Sequence, residues 1–463
     1  MTPDLPYLSA TEARRLFEER ELSPVELMRA VIEQAEQTEP VVGALTERIF
    51  EEALQQAHQA HERYENGTQR PLEGIPVATK EKHAIAGRSL TEGSLVNVGK
   101  IATENAPVVD RILQAGGIIH ARTATPEFSL TYFTHSRLWG ITRNPWNPEL
   151  TPGGSSGGSA ASLAAGSTTL ATGSDIAGSI RVPAAFTGTV GFKAPYGRIP
   201  GAAPLSIDHY RGDGPLARTV DDCALFTNVL SGQDPRDHAS LPDQGKLPQN
   251  FESVAGDRIA LSITLGDYEV HPEIEANTRA VASTLASAGA QVTEIELPWT
   301  RADIRTALGG HLPAIFGELV QEIAKDHRDD LSTYTAEFAE RMAVTREQFS
   351  YLDAVRAEAR MQRQLAEAMR GFDVLIAPTT TTPGLPADAQ LDEDVYGAAM
   401  TSPFNICNRC PVLNVPSGRS SWGVPTGVQI VGHPFDDAAS FRVGKALEEL
   451  RPWAFTDAHR PRL

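Results

Sequence analysis

The sequence predicts an α/β protein: a single large domain with a central, mostly parallel mixed sheet covered by helices on both faces. Three observations lead there. The chain has 463 residues and is 41% hydrophobic, enough to bury a large core. Residues 106–117, APVVDRILQAGG, space their apolar side chains as a helix does, stop at glycines, and lead into the β-branched run IIHAR. That alternation recurs as RIALSI, then PEIEANTRAVASTLASAG, then AQVTEIEL. Strands alternating with helices of this length pair in parallel and need both faces covered.

The elements follow in order. Residues 1–70 read as a helical N-terminal part, where Ser23, Pro24, Val25 and Glu26 form a capping box with proline at the first helical position. Residues 71–232 read as the catalytic core. Residues 233–256 are polar and proline-containing, which makes them a surface connection. The C-terminal half, 257–463, holds late strands at VLIAP, PVLNVP and GVQIVG and a helix starting near Asp436. Within it, charged helical segments over 301–370 form an excursion expected to cover part of the site.

Charge and cysteine usage narrow the partners. With 41 basic and 59 acidic residues the net charge is −18, which argues against nucleic acid and anionic membrane surfaces. The first residues carry no apolar leader, and no run of about 18 apolar residues could cross a bilayer, so a cytoplasmic protein is expected. Cys223, Cys407 and Cys410 are too few for a disulfide scaffold. Cys407 and Cys410 form a C-x-x-C without a second pair, read as two reduced thiols in a loop. No metal and no cofactor is expected, and oligomeric state is not legible.

The densest chemical signal lies between Thr151 and Gly191, where glycine, alanine and serine displace nearly every charge. Glycine lets a backbone aim several peptide N–H groups at one point, and a serine there could be a nucleophile. Ser155 in GGSSGG and Ser179 in DIAGSIR fit, with Lys80 in GIPVATK upstream. Gly154-Ser155-Ser156-Gly157-Gly158 also satisfies G-x-S-x-G, which would make Ser156 the nucleophile of an α/β-hydrolase. NPWNPELTP, which precedes it, cannot be the buried strand such an elbow requires.

GIPVATK, NPWNPELTPGGSSGGS and GSDIAGSIRVPAAFTGTVGFK together resemble the core of the amidase signature family, and further segments extend the resemblance over nearly the whole chain. The resemblance implies a Ser–Ser–Lys triad in which Ser179 is the nucleophile, Ser155 the bridging serine on a cis peptide, and Lys80 the base. It implies cleavage of a small-molecule carboxylic amide, or an aryl amide, ester or carbamate, through an acyl-enzyme. The alternative it carries is a glutaminase subunit of a tRNA-dependent amidotransferase. A lysine base must be neutral, so its pKa must fall from about 10.4, as burial achieves. The oxyanion hole is expected from the N–H groups of Ile176, Ala177, Gly178 and Ser179. Ala177 stands where the family usually has glycine, so the turn requires a negative φ there. Asp175 and Arg181 flank the turn in a supporting role.

From Pro126 to Trp146 the chain holds Phe128, Tyr132, Phe133, Trp139 and Trp146. Phe128, Trp139 and Trp146 are read as core. Tyr132 and Phe133, where small residues are usual, are expected at a substrate-pocket wall, with His135 and Arg137 at its polar rim.

Overall fold

The computed structural model describes residues 4–452 and 460–463. Its strands are β1 (Leu45–Arg48), β2 (Pro76–Lys80), β3 (Ile118–Thr123), a separate ribbon of β4 (His135–Ser136) and β5 (Gly140–Ile141), β6 (Leu170–Asp175), β7 (Val190–Lys193), β8 (Gly212–Ala217), β9 (Arg258–Leu261), β10 (Gln291–Glu294), β11 (Val374–Pro378), β12 (Val412–Arg419) and β13 (Pro425–Gly432). All but the ribbon join one 11-stranded sheet in the order β1-β3-β2-β6-β8-β7-β12-β13-β11-β9-β10.

The sheet is mixed. Parallel pairing occurs in two blocks, β3-β2-β6 and β11-β9-β10, where strand and helix alternate in sequence. Six of the ten pairings are antiparallel, a larger share than the alternation alone predicts. They link the two blocks through β8, β7, β12 and β13 and add β1 at one edge. Leu45–Arg48 escapes sequence reading because LTER has only one apolar residue to mark a buried face.

Both faces are covered, and β11 shows it with a period of two. Val374 and Ile376 join the core beneath the helices Pro272–Ser287 and Asp437–Leu450, while Leu375 and Ala377 join the core with Ala307, Ala357 and Met361. The latter three belong to the helices Arg301–His311 and Tyr351–Ala368 of the expected excursion. The capping box at Ser23 and Glu26 forms as expected.

Two short helices explain the small residues of the serine-rich stretch. Gly157–Ala164 and Arg181–Thr187 are buried at every position. At Gly158 a Cβ would lie 2.5 Å from the Ala124 nitrogen, so side chains are excluded by backbone on that face.

Candidate active site

Lys80 ends β2 with its side chain fully buried. Its backbone N–H donates to Thr172 Oγ1 at 3.0 Å, tying it to neighbouring β6. The Nζ atom lies 2.7 Å from Ser155 Oγ and 3.1 Å from both Ser156 Oγ and Ser174 Oγ. Burial holds the Lys80 ammonium well below the usual lysine range, and Arg211 adds repulsion, against weaker pulls from Asp213 and Asp175. A neutral amine has two hydrogens and one lone pair, so one of three hydroxyls must donate to it. Ser156 Oγ already donates to the Ser174 carbonyl at 3.4 Å and accepts from the Ser174 N–H at 3.2 Å. The shortest contact, from Ser155, is therefore the one suited to hand its proton to Nζ.

The Gly154–Ser155 peptide bond is cis. Gly154 is enclosed by the segment before it: a Cβ would sit 2.4 Å from the Phe133 carbonyl oxygen and 2.5 Å from that of Thr131. Ser156 precedes the helix Gly157–Ala164 and is wholly inaccessible. No strand leads into it, so the nucleophile elbow that G-x-S-x-G suggests does not form.

Ser179 lies in the turn between β6 and the helix Arg181–Thr187 and shares a small cavity of about 20 Å³ with Ser155, Ser174 and Ile176. The turn leaves donors unused. Ile180 N–H goes to Asp175 Oδ2 at 3.1 Å, but among the described residues the N–H groups of Ile176, Ala177, Gly178 and Ser179 meet no protein acceptor. Ala177 is absent from the positive-φ residues, which meets the condition its side chain imposes. Its carbonyl accepts from Tyr132 Oη at 3.0 Å and from Thr401 Oγ1. Because the peptide is planar and trans, holding that oxygen on Tyr132 and Thr401 points the Gly178 N–H the opposite way. Gly178 has φ +135°, and a Cβ there would be 1.9 Å from Thr401 Oγ1. Gly178→Ala would push the turn off Thr401 and turn the residue-178 N–H aside, and is expected to lower kcat by about 10²–10³-fold, the size of effect that losing one oxyanion donor has. Steady-state kinetics check it, and unchanged kcat would remove this turn from the chemistry.

Beneath the turn, Arg181 and Asp175 form a fully buried pair, Nη2 to Oδ1 at 2.9 Å and Nε to Oδ2 at 3.0 Å. Arg181 also donates to the Thr401 carbonyl, Gln429 Oε1 and Asn405 Oδ1, and Asn405 Nδ2 donates to Asp175 Oδ1. Burial alone would raise the Asp175 pKa, but Arg181 and Asn405 hold it at about 2.

The aromatic assignments change. The Phe133 ring is fully buried, stacked on His135 at 4.4 Å and edge-on to Tyr334 at 5.3 Å, so it is core and not pocket wall. Tyr132 lines neither cavity and acts through its hydroxyl on the turn. His135 and Arg137 are not a polar rim: they bond the carbonyls of Ala389 and of Asp329 and Leu331. Phe128, read as core, lines the small cavity that Ser179 shares, turned there by a positive φ of 52°. Phe316 of the helix Phe316–His327 also lines it, so the excursion does reach the site. Ser174, Arg211 and Phe316 were not found by sequence reasoning. Only Ser174, inside the glycine–serine stretch, left a usable signal.

Past Phe128, Ser129, Arg211 and Phe316 the small cavity adjoins a larger one of about 670 Å³. Its walls combine Ile199, Leu319, Val320 and Ile323 with Lys82, Glu92 and Asp213.

A buried amine within reach of a serine relay, beside unused N–H donors, is the equipment of an acyl-transferring hydrolase. The chain belongs to the amidase family, whose pattern matches residues 26–440, and it is an amide-hydrolysing enzyme. It is 33% identical to a subunit of the glutamyl-tRNA(Gln) amidotransferase of Chloroflexus aurantiacus, over 99% of each chain. It is 32% identical to an acylamidase of Rhodococcus erythropolis, over 97% of each. The crystal structure of a bacterial aryl acylamidase superposes with a TM-score of 0.87 at 26% identity, covering 96% of this chain and 97% of that one. Among the described residues no helix is long and apolar enough to cross a membrane.

Proposed function

We propose that this protein hydrolyses carboxylic amides with water as acceptor, with Ser179 as nucleophile, Ser155 as proton relay and Lys80 as base. Ser179 Oγ attacks the carbonyl carbon while its proton passes to Ser155 Oγ and the Ser155 proton passes to Nζ. The oxyanion forms against the N–H groups of residues 176–179. As the C–N bond breaks, the Lys80 proton returns through Ser155 to the leaving nitrogen, and the amine departs. Water then attacks the acyl-enzyme by the same relay and releases the acid. The observation that carries this reading is the ring of three serine hydroxyls around the buried Lys80 Nζ, two of which, Ser155 and Ser174, line the small cavity together with Ser179.

The neck between Phe128 and Phe316 and the larger cavity beyond favour a substrate with an extended arm, such as an aryl amide, over a short free amide. The purified chain alone is expected to release aniline from an acyl anilide, faster than ammonia from acetamide. Turnover that appears only after addition of partner subunits would favour the amidotransferase reading, which the similarity to the Chloroflexus protein supports.

A further inference from the structure

Arg211 stands where the catalytic cavity meets the larger one and lines both. It immediately precedes β8, in which Asp213 pairs with Ser174 and Gly212 with Asp175, so it sits across the sheet from the start of the oxyanion turn. Its backbone is fixed. The Arg211 N–H donates to the Asp208 carbonyl at 3.0 Å, and Asp208 Oδ1 lies 2.7 Å from His311 Nε2. Tyr210 stacks on His311 at 3.7 Å between ring centres, and His209 Nε2 meets Glu358 Oε2 at 3.1 Å. The loop is thus clamped to two helices of the excursion.

The guanidinium itself makes no hydrogen bond or ion pair with protein among the described residues. The nearest carboxylate in sequence, Asp213, attracts the guanidinium without a hydrogen bond to it and also faces His83 Nε2 at 3.2 Å and Lys82 Nζ at 3.9 Å. Asp175, the one carboxylate lining the small cavity among the described residues, is committed to Arg181. Arg211 is therefore the single cation lining that cavity among the described residues, with five N–H donors in a planar fork and no protein acceptor for them. Such a fork matches a carboxylate, and a partly dry site strengthens the pairing.

We propose that Arg211 is a substrate-recognition residue and that the preferred substrates are amides carrying a second, ionised carboxylate, which the guanidinium binds at the neck. This rests on the hydrolase reading and deepens it. The apolar wall at Leu319, Val320 and Ile323 takes the remaining carbon.

Two substrate pairs test the idea, one for each side of the scissile bond. On the acyl side, the 4-nitroanilide of succinic acid is compared with that of 4-methylpentanoic acid, which has the same shape without the charge. On the leaving side, 4-acetamidobenzoate is compared with 4-isopropylacetanilide. Intrinsic reactivity cancels when the anionic-to-neutral ratio of kcat/KM is compared between wild type and Arg211→Met. In one of the two pairs that ratio is expected to fall about 10- to 100-fold in Arg211→Met, and by less in Arg211→Lys, which keeps the charge but loses the fork. Labelling of Ser179 by a fluorophosphonate, which has no carboxylate, reports whether each variant keeps an assembled site. Should Arg211→Met not assemble, the Arg211→Lys ratio decides alone. An unchanged ratio in both pairs would overturn the proposal. Failure of the wild type to hydrolyse any of the four anilides would instead count against the hydrolase reading.

Discussion

Replacing Lys80 with methionine is expected to lower kcat for amide hydrolysis by at least about 10⁴-fold while the protein keeps its fold. Methionine matches the length of the lysine stem and leaves the strand pairing of β2 untouched. What disappears is the amine that lies against Ser155 Oγ and, in the proposed relay, accepts its proton. Stability responds with a definite sign. The Lys80 pKa is lowered by burial in the folded protein, so between that lowered value and the ordinary lysine value of 10.5 the unfolded chain binds the extra proton. Wild-type stability must therefore rise with pH through that window, and the methionine variant must lack that rise. Urea unfolding of both proteins from neutral pH to about pH 10 checks it. Parallel stability profiles would mean that Lys80 is not held neutral.

Arg181→Met carries the largest expected effect on stability, a loss of about 3–5 kcal/mol at neutral pH. The change strands the Asp175 carboxylate in a fully buried position with Asn405 as its remaining side-chain donor. In the wild type Asp175 is held at about 2, so its stabilising contribution is complete above the unfolded value of 3.8 and is lost as pH falls toward 2. Without the guanidinium, burial dominates and raises that pKa. The deficit of the variant should then shrink as pH falls from neutral toward about 5, because protonation removes the stranded charge. A deficit under about 1 kcal/mol that ignores pH would show that the pair contributes little. Activity should fall as well, since Arg181 also holds Thr401, whose hydroxyl fixes the Ala177 carbonyl.

Sequence reading succeeded where one physical demand dominates a stretch of chain. The alternation of β-branched runs and helices located β3, β9 and β10, because burying a sheet on both faces requires that pattern. The glycine–serine stretch drew attention to Ser155 and Ser179, which line one cavity, because crowding by backbone at Gly154 and Gly158 and by the Thr401 side chain at Gly178 tolerates no side chain. The aromatic segment was read less well. Phe128 and Phe133 are equally apolar, and which of them faces the cavity depends on the left-handed backbone at Phe128 and Ser129, which neither composition nor spacing encodes. Arg211 was missed for a related reason. Its role comes from the registry of β8 against β6 and from a clamp supplied by residues about 100 and 150 positions later in the chain.

The relay from Ser179 through Ser155 to Lys80 is tested most directly by the rate and position of fluorophosphonate labelling as a function of pH. Peptide mass spectrometry should place the adduct on Ser179, with a rate that rises as pH climbs through the lowered Lys80 pKa and then levels. In Lys80→Met the labelling should be slower by orders of magnitude and lose that rise, and in Ser179→Ala it should be absent. An adduct on Ser155 or Ser156, or wild-type labelling in Lys80→Met, would contradict the account.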